Sequence, residues 1–145
     1  MKLASFRAPG DTVGHLGGVV GDAIVALHPA LAAAQHAAGE PDTAKQQIPA
    51  TMLGLLGAGE AAMVAAARAL AFAARPESAA LRRPLAEVAL EAPLIPGKIL
   101  GVGRNYADHV KEVGGPTLSA PRIFLKPGSS VCGPGTQVRI PPAAL

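Results

Sequence analysis

His109 and Glu112, three positions apart in the stretch ILGVGRNYADHVKEVG (Ile99 to Gly114), are the pair whose types and spacing suit proton transfer. On one turn of helix they share a face, so the carboxylate orients the imidazole and raises its basicity, and the pair can move a proton or activate water. Spacing alone favours a plainer alternative: Asp108, His109, Lys111 and Glu112 also describe a solvated turn, and one such pair is common. Lys126, in FLKPGSS, ends an apolar strand ahead of Pro127 and a small flexible loop, well placed to hold a carboxylate, and Arg104 offers the same chemistry. A surface lysine at a strand end is equally ordinary. Gly101-x-Gly103 after an apolar run suggests a dinucleotide fingerprint, but Tyr106 occupies the third glycine position and no acidic residue follows Glu112, so a tight turn is the better reading.

The remaining reactive side chains are weaker candidates. His15, His28 and His36 read as structural or surface groups. Cys132 has no histidine near it and reads as a buried, inert thiol. As the single cysteine it excludes an internal disulfide and a thiolate zinc site from this chain alone.

Short strands must carry these residues. KILGVG reads as a buried strand before the polar cluster, RIFLKP as a strand after it, and TQVRI as another beyond a Gly-Pro-Gly turn. Upstream, KLASFRA and HLGGVVGDAIVAL read as two or three strands, with Gly21-Asp22 as a hairpin turn because glycine supplies the positive φ that such turns require. PALAAAQHAAG suggests a short helix stopping at Gly39, and EPDTAKQQIPA a polar loop. Thr51 is a candidate N-cap for one long helix whose apolar face runs from Leu53 to Phe72, weakened at its start by Gly54, Gly57 and Gly59. Four prolines between Pro76 and Pro96 mark a connector, which sets a domain boundary near residue 95.

Composition narrows the function classes. At 145 residues, half of them hydrophobic and 16% charged, the chain can bury a real core. Aromatic residues make up 3% and tryptophan is absent, so binding of single-stranded nucleic acid by stacking has little to work with. The net charge is +3, but residues 1–81 carry five basic and six acidic groups whereas residues 82–145 carry eight and four, which suits an anionic ligand near the second segment as well as an unevenly solvated surface. The apolar stretch from Met52 to Ala74 is interrupted by Glu60 and Arg68, and no run approaches the ~20 residues of a membrane span. MKLASFRAPGD lacks the apolar region of a signal peptide, so a cytoplasmic location is the expectation.

Together, GKILGVGRNYADHVKEVG and PRIFLKPGSSVCGPGTQVRIPP resemble the fumarylacetoacetate hydrolase family from about Pro93 to Pro142. MKLASFRAPGD and GGVVGDAIVAL are similar to the small N-terminal domain of many bacterial members. The resemblance implies an α+β chain: a small N-terminal domain and connector over residues 1–95, then the first strands of a mixed β-sandwich roll over 96–145, the N-terminal portion of a catalytic domain that is homodimeric in full-length members. It implies chemistry on small oxo or hydroxy diacids, by carbon-carbon hydrolysis, isomerisation or decarboxylation as in aromatic catabolism, with magnesium or manganese stabilising an enolate. His109 matches the catalytic base and Glu112 the glutamate paired with it. Arg104 and Tyr106 would line the substrate pocket, with Lys126 close by. Asn105 matches the amide of the shorter members, where longer animal hydrolases place a metal-binding aspartate.

The family holds its metal mainly through a Glu-x-Glu pair and a later aspartate. From Val113 to Leu145 the sequence has no aspartate or glutamate, so the carboxylates that a hard divalent cation needs are missing. The expectation is an incomplete catalytic roll bearing the general-base half of a site, inactive by itself and without metal ligands. The rival expectation is a truncated, non-catalytic remnant or interaction module. No membrane or nucleic-acid partner is expected.

Overall fold

The computed structural model describes residues 1–103, 106–114, 120 and 122–140. These fall into two compact units, Met1–Leu94 together with the segment from Gly133, and Ile95–Cys132. The architecture is α+β.

In the first unit, β1 (Leu3–Arg7), β2 (His15–Val20) and β3 (Ala23–Ala26) form an antiparallel meander. The tight turn between β2 and β3 is the expected one, with Gly21 at φ 62°. Two short strands extend the sheet at its edges: β4 (Arg82–Pro84) pairs with β3, and β5 (Ala89–Leu90) with β1. The segment expected to be a connector thus supplies both edges of the sheet. Its prolines are compatible with that position, because an edge strand has backbone groups that need no partner.

The pleat divides the sheet. Leu16, Gly18 and Val25 fall on one face, which the helices cover, while Phe6, His15, Ile24 and Arg83 fall on the other by register. Helix α1 (Leu27–Ala37) packs against α4 (Glu60–Ala73) through small residues. Ala62, Ala65, Ala66, Ala69 and Ala73 recur at helical spacing and are all buried, which allows close approach of a backbone with high helix propensity. Leu27, Leu31, Ile48 and Leu55 fill the space beside them.

Two expectations for the helical region change. The supposed polar loop contains a one-turn helix, α2 (Ala44–Gln47), tied down by Gln35. This buried amide donates to Thr43 Oγ1 at 2.8 Å, and its oxygen accepts from the Thr43 backbone N–H at 3.1 Å. Ile48, which follows, is fully buried, and its carbonyl lies 2.6 Å from His28 Nε2. The single long helix is instead two. Thr51 does cap its start, accepting from Gly54 N–H at 3.1 Å, but α3 (Met52–Gly57) ends there and α4 begins after Gly59, whose φ of 76° no helix tolerates.

In the second unit, β6 (Ile99–Gly103) and β7 (Arg122–Lys126) form a two-stranded antiparallel sheet, and α5 (Ala107–Val113) lies between them in sequence. Both expected strands are present, but β6, expected to be buried, is not: its residues alternate between half-buried and exposed, because a two-stranded sheet has little to cover its faces. TQVRI, by contrast, carries no strand; residues 136–140 have no ladder partner. The Gly-Pro-Gly turn before it forms, with Gly135 at φ 73° and the Thr136 N–H donating to the Gly133 carbonyl at 3.3 Å.

Candidate functional site

Asp108, Lys111, Glu112 and position 109 lie on α5, which follows the apolar strand β6 in sequence. Tyr106 is extended and its carbonyl accepts from Val110 N–H at 3.1 Å, which starts the helix; Gly114, at φ 66°, follows its last residue. Positions 109 and 112 therefore lie on one short helix, one turn apart, as their spacing requires. The side chain of His109 lies outside the described residues, as do Arg104 and Asn105 entirely. Glu112 is exposed and Tyr106 is 75% exposed. On the same helix Lys111 Nζ stands 3.8 Å from Asp108 Oδ1, with both side chains open to water, so that pair contributes little.

The hairpin sets the positions of the cations. Lys126 pairs with Ile99, whereas Arg122 pairs with Gly103, at the end of β6 nearest α5 in sequence. Four residues of strand, about 13 Å, separate those two ends. Lys126 Nζ lies 5.9 Å from the centre of the Phe124 ring, within cation–π range. Arg122 was not among the sequence candidates. The signal that would have found it is antiparallel register, because the strand following α5 must begin opposite the end of the strand preceding it.

Gly101 opposes Phe124, and a Cβ there would stand 2.4 Å from the ring, so glycine lets the aromatic ring cross the hairpin. The outer positions remain open: Leu100, Val102, Ile123 and Leu125 are each more than half exposed. Cys132 is also exposed, which corrects the expectation of a buried thiol; its neighbours are glycine, proline and a half-buried valine rather than a core.

Among the described residues, no three or more histidine, cysteine, aspartate or glutamate side chains cluster to hold a metal ion. By themselves these residues do not make the magnesium or manganese site that the resemblance implies. No helix among them is long and apolar enough to cross a membrane.

A strand, a short helix with positions 109 and 112 one turn apart, and a returning strand ending in Lys126 thus follow one another in the second unit. Residues 98–145 match the family model described as fumarylacetoacetate (FAA) hydrolase C-terminal. This match and the similarity to curated relatives support the fumarylacetoacetate hydrolase family for this chain. Across 98% of its length it is 37% identical to two human proteins, the mitochondrial oxaloacetate tautomerases FAHD2B and FAHD2A, covering 40% of each. Over 58 residues it is 50% identical to Protein Rv2993c of Mycobacterium tuberculosis, which is 40% of this chain and 22% of that protein. The chain thus spans well under half the length of these relatives.

Proposed function

We propose that the chain is the N-terminal part of a metal-dependent enzyme acting on small oxo or hydroxy diacids, with oxaloacetate the first substrate to test. The observation that carries this reading is the helix Ala107–Val113, which puts positions 109 and 112 one turn apart within the stretch that the family model matches. The human relatives are named as oxaloacetate tautomerases, and tautomerisation needs a group that removes a proton from carbon and returns one to oxygen. In this reading His109 is that group and Glu112 orients it. Arg104, Tyr106 and Lys126 hold the diacid carboxylates, and the metal, with ligands outside this chain, polarises the oxo group. Residues 1–95 serve as the small N-terminal domain and connector, and 96–145 open the β-roll of the catalytic domain. The assembly is a cytoplasmic homodimer. A non-catalytic remnant is the less favoured reading, because the curated human relatives are enzymes by name.

The test is oxaloacetate tautomerisation and decarboxylation by the gene product that carries this chain, with manganese added, beside the chain alone. Metal-dependent turnover by the gene product and none by the chain alone supports the reading. No turnover of oxaloacetate or related oxo diacids by the gene product overturns it. Lys126→Met and Arg122→Gln then separate the two cations: a rise in KM with Lys126→Met alone assigns substrate binding to Lys126, and the reverse moves it to Arg122.

A further inference from the structure

The sheet face that carries Phe6 and Ile24 has its own concavity, built wholly from the first unit and bounded by Pro29 in the first turn of α1 and by residues 80–84. It is open to solvent, with a volume of about 460 Å³, within the range of small-ligand pockets. Phe6 and Ile24 form its floor but are almost fully buried, so the apolar surface it offers comes from Pro29, Ala80, Leu81 and Pro84. Cross-strand register pairs each floor residue with a polar one: Phe6 with His15, and Ile24 with Arg83. Between them Gly17 contributes no side chain, and a Cβ there would stand 2.6 Å from the Phe6 ring.

The polar groups are arranged unequally. Asp11 Oδ2 accepts from the Ala8 backbone N–H and lies 3.0 Å from His15 Nε2, so its charge is already partnered and the imidazole is fixed with Nδ1 open. The imidazole is tilted against Phe6, with ring centroids 5.6 Å apart. Arg82, beside Arg83 in β4, donates to the Arg75 carbonyl on another path. Arg83, by contrast, has no hydrogen-bond or ion-pair partner among the described residues, although a guanidinium offers five donors. Glu87, on the rim, is the one carboxylate lining the cavity without a partner.

We propose that this concavity is a binding site for a small carboxylate with an apolar body. The body lies above the Phe6 and Ile24 floor against Pro29, Leu81 and Pro84, while the carboxylate takes the guanidinium of Arg83 in the bidentate geometry that suits this pair. The site is independent of the catalytic reading, since none of its residues belongs to the stretch that reading uses.

Titration of the chain with phenylacetate, followed residue by residue in backbone amide NMR spectra, tests it. The expected result is saturable shifts concentrated at positions 6, 15, 24 and 83. Replacing the ligand by phenylacetamide, or the residue by Arg83→Gln, weakens binding about fivefold or more, as loss of one partner of a charged pair does. Glu87→Gln tightens it. Arg83 is exposed and unpartnered, so its variant keeps the parent's melting temperature. No saturable shift into the millimolar range, shifts scattered over the surface, or equal binding by Arg83→Gln and by the amide would each overturn the proposal.

Discussion

The two adjacent glycines of β2 face opposite layers, and alanine at each should fail for different reasons. At Gly18 an added Cβ would meet Leu70 Cδ1 at 2.5 Å and Cδ2 at 2.7 Å, the mobile end of a side chain. Leu70 can turn away at the cost of its rotamer and some packing, about 1–3 kcal/mol, offset by about 0.5–1 kcal/mol of backbone entropy that alanine saves in the unfolded chain. The net expectation for Gly18→Ala is a loss of about 1–2 kcal/mol, or a fall of about 3–6 °C in melting temperature. At Gly17 the added atom would meet Phe6 Cε1 at 2.6 Å and the backbone oxygen of Val25 at 2.9 Å. That carbonyl lies in the β3 ladder and cannot turn away, so Gly17→Ala should cost about 3 kcal/mol. Urea unfolding of both variants measures the difference. A double-mutant cycle checks its cause: Gly18→Ala with Leu70→Ala should cost at least about 1 kcal/mol less than the sum of the single changes. Equal losses at both glycines, or additivity in the Leu70 cycle, would refute the assigned packing.

Other parts of the fold give simpler expectations. Thr43→Val leaves the Gln35 amide, buried between α1 and α2, without one of its partners and should lower stability by about 1–3 kcal/mol in urea titration. The Arg68 guanidinium, 2.7 Å from Glu40 and hydrogen-bonded to it, holds that carboxyl below its usual range. A depressed carboxylate stabilises the fold above its ordinary titration range and ceases to do so as pH falls through its folded value. Glu40→Gln should therefore flatten the acid limb of the stability profile slightly, while leaving stability above neutrality little changed for an exposed pair. Amides of β6 and β7 should exchange faster than those of β2 and β3, because a two-stranded sheet with open faces is marginal in water.

Much of this fold is legible where local chemistry decides it. The Gly21-Asp22 turn needs positive φ, α1 runs out just before Gly39 at φ 70°, and Thr51 can cap a helix without help from distant residues. What escaped depends on partners far away in sequence. β4 and β5 are three and two residues long, too short for any periodicity, and exist because β3 and β1 offer edges. TQVRI alternates well enough for a strand but pairs with no strand among the described residues, although both sheets have open edges. Propensity marks Gly59 as a weak helix residue but does not distinguish a strained helix from two helices. At the candidate site the strands and the His-Glu spacing are readable in the sequence; the register that sets Arg122 opposite Gly103 and Lys126 opposite Ile99 depends on pairing across the chain that intervenes between the two strands.

The most direct test of the central reading is oxaloacetate tautomerisation by the gene product carrying His109→Gln or Glu112→Gln. Proton transfer through this pair predicts that His109→Gln lowers kcat by about 10²–10⁴-fold with KM little changed. Glu112→Gln should give a smaller loss and a shifted pH profile, because it acts by orienting the imidazole. Wild-type kcat in the His109→Gln protein, folded and loaded with metal, would contradict the assignment of the proton-transfer group to α5.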